Sequence, residues 1–136
     1  MIVVDTSGLL ALFNRRERAH EAVRAVVEGE PEPLVVSPYV IAELDYLVAT
    51  RLGVQAELAV LDELAGGAYH LAGFTADDMG RASAVIAEYR DQEVGIADAS
   101  LVVLADRHRC RSVLTLDHRH FDVLRPLEGG RFHVVP

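Results

Sequence analysis

The chain has 136 residues, 51% apolar and 25% charged, which is the composition of a folded domain with a sizeable core and excludes wholesale disorder. Its 21 acids outnumber its 13 bases for a net charge of −8, every base is an arginine, and Cys110 is the single cysteine. This excludes chemistry that needs a lysine, such as P-loop phosphate binding or a Schiff base, as well as a disulfide framework and a multi-cysteine zinc site, and it argues against a general nucleic-acid coat.

In chain order, Ile2 to Asp5 is β-branched and uninterrupted, as expected of a short buried strand. Thr6-Ser7 offers an N-cap for a helix through Leu9, Leu10 and Phe13, and Arg16 to Glu28 predicts a second helix that Pro31 and Pro33 end. Leu34 to Val36 is a second buried strand. Ser37-Pro38 then caps a helix that runs through Leu52 to Gly53. Ala56 to Leu64 predicts a further helix closed by Gly66-Gly67, and Ala68 to Leu71 a weak strand. Thr75 with Asp78 forms a capping box, with Asp in the usual Glu position, for a helix to about Tyr89. Gly95 to Arg109 is helical and apolar all round from Leu101 to Ala105, so it should be deeply packed. Ser112 to Leu116 and Arg131 to Val135 are the last strands.

No repeat, linker or low-complexity stretch divides the sequence, so residues 1–136 read as one domain. Alternating strands and helices predict a three-layer αβα sandwich around a mainly parallel sheet. No apolar run is long enough to span a bilayer, and Met1 leads straight into a strand without a basic leader, so the expected location is cytoplasmic.

Ligands of such sheets bind beyond the carboxyl ends of the strands, and acids cluster in those places. Asp5 follows the first strand, where a helix cap would also explain it. Asp98 lies about 60° from Leu101 at 100° per residue, inside the apolar stripe of its helix. A carboxylate there needs a cation or strong donors, and an arginine pair would be the structural answer. Glu43 borders the apolar face of the helix that starts at Pro38, as a solvated flank residue would. Asp117 follows the strand Ser112 to Leu116 on the same side as Thr115, and it could cap the short segment His118 to Phe121. If they converge, four carboxylates repel, so some protons must be retained or a cation bound. Magnesium suits such a set, because it takes one or two carboxylates, keeps several waters and accepts phosphate oxygens. The chemistry such a site supports is metal-assisted phosphodiester hydrolysis.

The segments IVVDTSGLL, SPYVIAEL, GIADASLVVLA and LTLDHRHF resemble those of PIN-domain ribonucleases, and within them the VapC toxins of type II toxin–antitoxin pairs. The resemblance covers nearly the whole chain, and the order and spacing of the four acidic motifs make it specific. It implies a PIN-like fold and a magnesium-dependent endoribonuclease, with manganese as the alternative ion. Asp5 and Asp98 match the metal ligands, and Glu43 and Asp117 complete the acidic cluster. Thr6 and Ser7 match the hydroxyl residues after the first acid, and Thr115 is a further supporting hydroxyl. The resemblance also implies an RNA substrate, a homodimer, and a VapB-like antitoxin that joins it in a heterotetramer or larger complex. One departure stands out: many relatives carry an acid where this chain has His120, before Phe121.

Other constellations are weaker. His118 and His120, two residues apart, do not share a helical face, so a zinc site is disfavoured. Arg107, Arg109 and Arg111 could contact phosphates or complement a helix C-terminus. Arg119, two residues from Asp117, is the better candidate for RNA contact. Tyr39, Tyr46 and Leu47 are candidates for a dimer or antitoxin surface, or for core packing. No G-x-S-x-G elbow accompanies Ser7 or Ser37. Two other readings fit the same residues: a non-catalytic interaction module of this fold, and a structure-specific DNA nuclease.

Overall fold

A computed structural model describes residues 1–136. The elements are β1 (Ile2–Val4), α1 (Thr6–Phe13), α2 (His20–Gly29), β2 (Val35–Val36), α3 (Pro38–Leu52), α4 (Val54–Ala65), β3 (His70–Leu71), α5 (Ala76–Glu88), α6 (Ile96–Arg107), β4 (Ser112–Leu114), α7 (His118–Val123) and β5 (His133–Val135). The strands form one sheet in the order β3-β2-β1-β4-β5, and every neighbouring pair is parallel. The chain therefore winds outward from β1 to β3, then returns to lay β4 on the other side of β1. The strand order reverses between β1 and β4, and a crevice opens at the carboxyl ends of these two strands. Helices flank this sheet as an α/β sandwich, as the alternation of elements predicts.

The core explains the register. Val3, Val4, Val35, Val36, Val113 and Leu114 are fully buried, so both faces of the three central strands are covered. On α6, Leu101 to Ala105 are buried on every side, as their unbroken apolar run predicts. Gly8 lets α1 lie directly on β4: a Cβ at that position would stand 2.7 Å from the Leu114 carbonyl oxygen. The same close approach brings Ser7 beside the end of β4.

Several boundaries differ from the sequence reading. The second helix begins at His20 rather than Arg16. Asn14 turns the chain first, its side chain accepting from the Arg16 N–H at 3.0 Å, and the buried His20 ring is hydrogen-bonded to the Ala11 carbonyl at 2.8 Å. The sixth helix ends at Arg107 in a Schellman motif: Arg109 takes a positive φ of 52°, and the Cys110 N–H donates to the Ala105 carbonyl at 2.8 Å. The capping box is present, with the Thr75 N–H donating to Asp78 at 2.9 Å and the Asp78 N–H to the Thr75 hydroxyl at 3.2 Å. No helix is long and apolar enough to cross a membrane.

Candidate active site

Asp5 is the first residue past β1, in extended backbone at the N-cap of α1. It is buried, and its oxygens are held from three directions: the Thr6 N–H donates to Oδ1 at 2.8 Å, the Thr115 hydroxyl to Oδ2 at 2.8 Å, and the Ser7 hydroxyl to Oδ2 at 3.3 Å. The two hydroxyls stand 3.1 Å apart, and each also accepts from the backbone after β4, Ser7 from Leu116 and Thr115 from Asp117. The hydroxyl residues after β1 and at the end of β4 thus form one network that fixes both the Asp5 rotamer and the spacing of the two strand ends. None of the donors to Asp5 is a cation.

Asp98 sits in the first turn of α6, with its side chain 17% exposed. No arginine pairs with it. Its neighbour is His120 on α7, whose Nδ1 lies 3.5 Å from Asp98 Oδ2 and 3.1 Å from Asp117 Oδ2. Asp117 precedes α7, yet its side chain makes no capping hydrogen bond, so the cap explanation fails for it. Glu43 projects from α3 and is exposed at the mouth.

Asp5, Thr6, Ser7, Glu43, Asp98 and Asp117 line a single open cleft of about 690 Å³ at the carboxyl edge of the sheet. Thr115 is buried behind Asp5. The cleft is larger than the sequence reading: it also takes in His120, Tyr39, Arg51 and Glu93. Glu93 stands in the loop before α6 with a positive φ of 56°, a position no helical or strand period could have flagged. His120 is visible in the sequence only as a departure from an acid.

The electrostatics follow from the crowding. Burial pushes the Asp98 carboxyl up to about 6, and the charges of Asp5, Glu43 and Asp117 add to this while His120 opposes it. Burial also raises Asp5 above the usual carboxylate range, with Glu43 contributing, against the hydrogen bonds from Thr115, Thr6 and Ser7. The Thr6 hydroxyl is buried at the cleft without a protein partner, which leaves a polar place for a water or for the hydrated shell of an ion. No three of these side chains close on one point as a preformed cage would. An open arrangement of this kind would suit a hard divalent ion that takes one or two carboxylates and keeps several of its own waters.

The remaining candidates separate. Arg119 is 94% exposed on the outer face of α7, its Nε 3.9 Å from Asp117. The basic segment is not one patch, because Arg107 donates to the Gly73 carbonyl and pairs with Asp78, Arg111 donates to the Gly129 carbonyl, and Arg125 to the Asp122 carbonyl. Tyr39 packs edge-on against Phe74, while Tyr46 is 68% exposed.

Known proteins share both the sequence and the fold. The PIN domain family matches residues 2–125. Ribonuclease VapC26 of Mycobacterium tuberculosis is 58% identical over 135 residues, 99% of this chain and 100% of that protein. The crystal structure of VapC20 from the same organism, a sarcin-ricin-loop-cleaving toxin, superposes over the whole of both chains with a TM-score of 0.85 at 21% identity. VapBC2 of Rickettsia felis, solved on a promoter DNA fragment, matches over 100% of both chains with a TM-score of 0.72 at 16% identity. With a family match over nearly its full length and a relative this similar, the chain belongs to the PIN-domain family and, within it, to the VapC ribonucleases.

Proposed function

We propose that this chain is a magnesium-dependent endoribonuclease that acts as the toxin of a toxin–antitoxin pair. The observation that carries the reading is the cluster of acids in one cleft, with no arginine beside Asp5 or Asp98. Five acids share the cleft, and burial together with these acidic neighbours raises the Asp98 carboxyl. Asp5 and Asp98 would hold the ion, with Glu43 and Asp117 completing the cluster directly or through water; manganese would serve in its place. When bound, the ion activates water and neutralises charge on the phosphate.

The rest falls to the chain itself. Thr115, Ser7 and the Thr6 N–H hold Asp5 in one rotamer, so its free lone pairs face the cleft without reorganising. His120 bridges Asp98 and Asp117 and keeps two mutually repelling carboxylates at the same wall. Glu43 stands exposed at the mouth of the cleft and adds its negative charge to the cluster from α3. The solved VapBC complexes and the 58%-identical ribonuclease support an RNA substrate and an antitoxin partner for this chain. Homodimerisation, and a heterotetramer or larger assembly with the antitoxin, belong to the same proposal.

The test is cleavage of a single-stranded RNA oligonucleotide by the purified chain, with magnesium and with chelator, beside a DNA oligonucleotide of the same sequence. Cutting of RNA alone, abolished by chelator and restored by magnesium, is the expected result. Equal cutting of DNA, or cutting that survives the chelator, would overturn the reading.

A further inference from the structure

An acidic protein with an acidic cleft repels the polyanion it is meant to cut. A bound ion answers this at the scissile phosphate but not at its neighbours. Among the residues lining the cleft, one carries a permanent positive charge: Arg51, in the last turn of α3. Its guanidinium makes no ion pair within 4 Å, although five acids share the same cavity. It is also exposed.

Its place on α3 is regular. Tyr39, Glu43, Leu47 and Arg51 recur every four residues, a spacing that aligns side chains in a row along one helical face, and all four line the cleft. The row passes the acidic cluster at Glu43 and ends at Arg51, about 12 Å further along the axis at 1.5 Å per residue. Arg51 makes no ion pair with Asp5 or Asp98, so its guanidinium is free for a phosphate other than the one an ion held by those two acids would take. Arg51 also lines an adjoining, mostly apolar groove of about 240 Å³ whose one other charged residue is the acid Glu17. Phosphate recognition on this side therefore stops at Arg51.

We propose that Arg51 is a substrate-positioning residue that binds a backbone phosphate of single-stranded RNA flanking the scissile one, and so sets how the strand lies along α3. This rests on the ribonuclease reading above. The competing role is purely structural, a cation complementing the C-terminal end of α3.

The experiment compares wild type with Arg51→Ala and Arg51→Lys on two RNA substrates in magnesium: a dinucleotide with only its scissile phosphate, and an octanucleotide. Arg51→Ala should lower kcat/KM on the octanucleotide roughly tenfold, mainly through KM, as expected for one lost charge-assisted contact. On the dinucleotide it should match wild type, and Arg51→Lys should recover most of the loss. In chelator, fluorescence anisotropy of the labelled octanucleotide is measured on Asp98→Asn and on Asp98→Asn/Arg51→Ala. The double variant should bind more weakly, with a log–log salt slope shallower by about 0.7, the value for one phosphate contact to a single strand. Equal losses on both substrates, or none on the octanucleotide, would overturn the proposal. So would unchanged RNA binding and cleavage accompanied by a weakened hold on a protein partner, which would make Arg51 an interaction-surface residue. If wild type cuts neither RNA, the ribonuclease reading fails, while the anisotropy arm still reports on Arg51 by itself.

Discussion

Helix α6 carries acids at both ends, and the two ends treat them in opposite ways. Near its C-terminus, Asp106 pairs with Arg81 of α5, and the next residue, Arg107, donates at 3.0 Å to Asp78 in the first turn of α5. The Thr75 N–H and the charges of Arg107 and Arg81 hold the Asp78 carboxyl below its usual range against the effect of burial. At the N-terminus Asp98 has no arginine, and its carboxyl is raised to about 6 by burial and by its acidic neighbours. Arginine is the only basic residue type in the chain besides histidine, and it was available to both ends. The fold places it on the α5–α6 seam and not beside Asp98. Asp78 and Asp106 are therefore structural acids, whereas Asp98 is maintained at a cost in stability that protonation or an external cation relieves.

The sharpest way to break this contrast is to neutralise one acid at each end. Asp98→Asn should reduce RNA cleavage by at least about 100-fold, as expected for loss of a direct metal ligand, and Asp5→Asn should do the same. Both variants should keep the wild-type circular dichroism spectrum. Asp78→Asn should leave the cleavage rate of the folded protein unchanged. Wild-type activity in Asp98→Asn, or an inactive but folded Asp78→Asn, would erase the distinction.

Next in size is the close approach that brings the cleft's hydroxyls together. Gly8→Ala places a methyl 2.7 Å from the Leu114 carbonyl oxygen and 3.2 Å from Val4, where backbone has to move. The expected loss is about 1–3 kcal/mol, seen as a lower midpoint in urea, together with weaker cleavage as Ser7 shifts from Thr115. Unchanged stability would mean that α1 does not depend on this contact.

The two ends should also respond oppositely to pH. The raised Asp98 carboxyl costs nothing below about pH 3.8, where it is protonated whether folded or not. Its penalty grows with rising pH and is complete above about 6. In chelator, Asp98→Asn should therefore be more stable than wild type at pH 7, by of the order of 1–3 kcal/mol, and no more stable at pH 3.5. Asp78 has the reverse sign: its contribution is present above pH 3.8 and is lost as pH falls through its lowered value. Thermal midpoints across this range would show a gain or a loss for each variant. The smallest effect is that of the cap alone, with Thr75→Ala costing about 1 kcal/mol and leaving cleavage untouched.

Much of this was legible without coordinates. The apolar run Leu101 to Ala105 read as part of a buried helix, and Thr75 with Asp78 as a helix start, because both signals act within a few residues. The position of Asp98 within that apolar run marked it as a residue whose charge needed an explanation. The arginine pair that would have been its structural explanation is absent, and the pairing of Arg107 with Asp78 lay outside the reach of a linear reading.

The sequence by itself determined the alternation of strands and helices, the parallel sheet that follows from it, and which acids fall just past strands or inside an apolar face. These depend on periodicity and capping, which are local. The tertiary structure alone decided which groups meet. Thr115 reaches Asp5 across 110 residues of chain, His120 comes between Asp98 and Asp117, and Arg51 and Glu93 arrive at the same cleft from a helix end and a loop. Such meetings are set by strand register and by how closely Gly8 lets α1 approach β4, and neither quantity is written in any short stretch of residues.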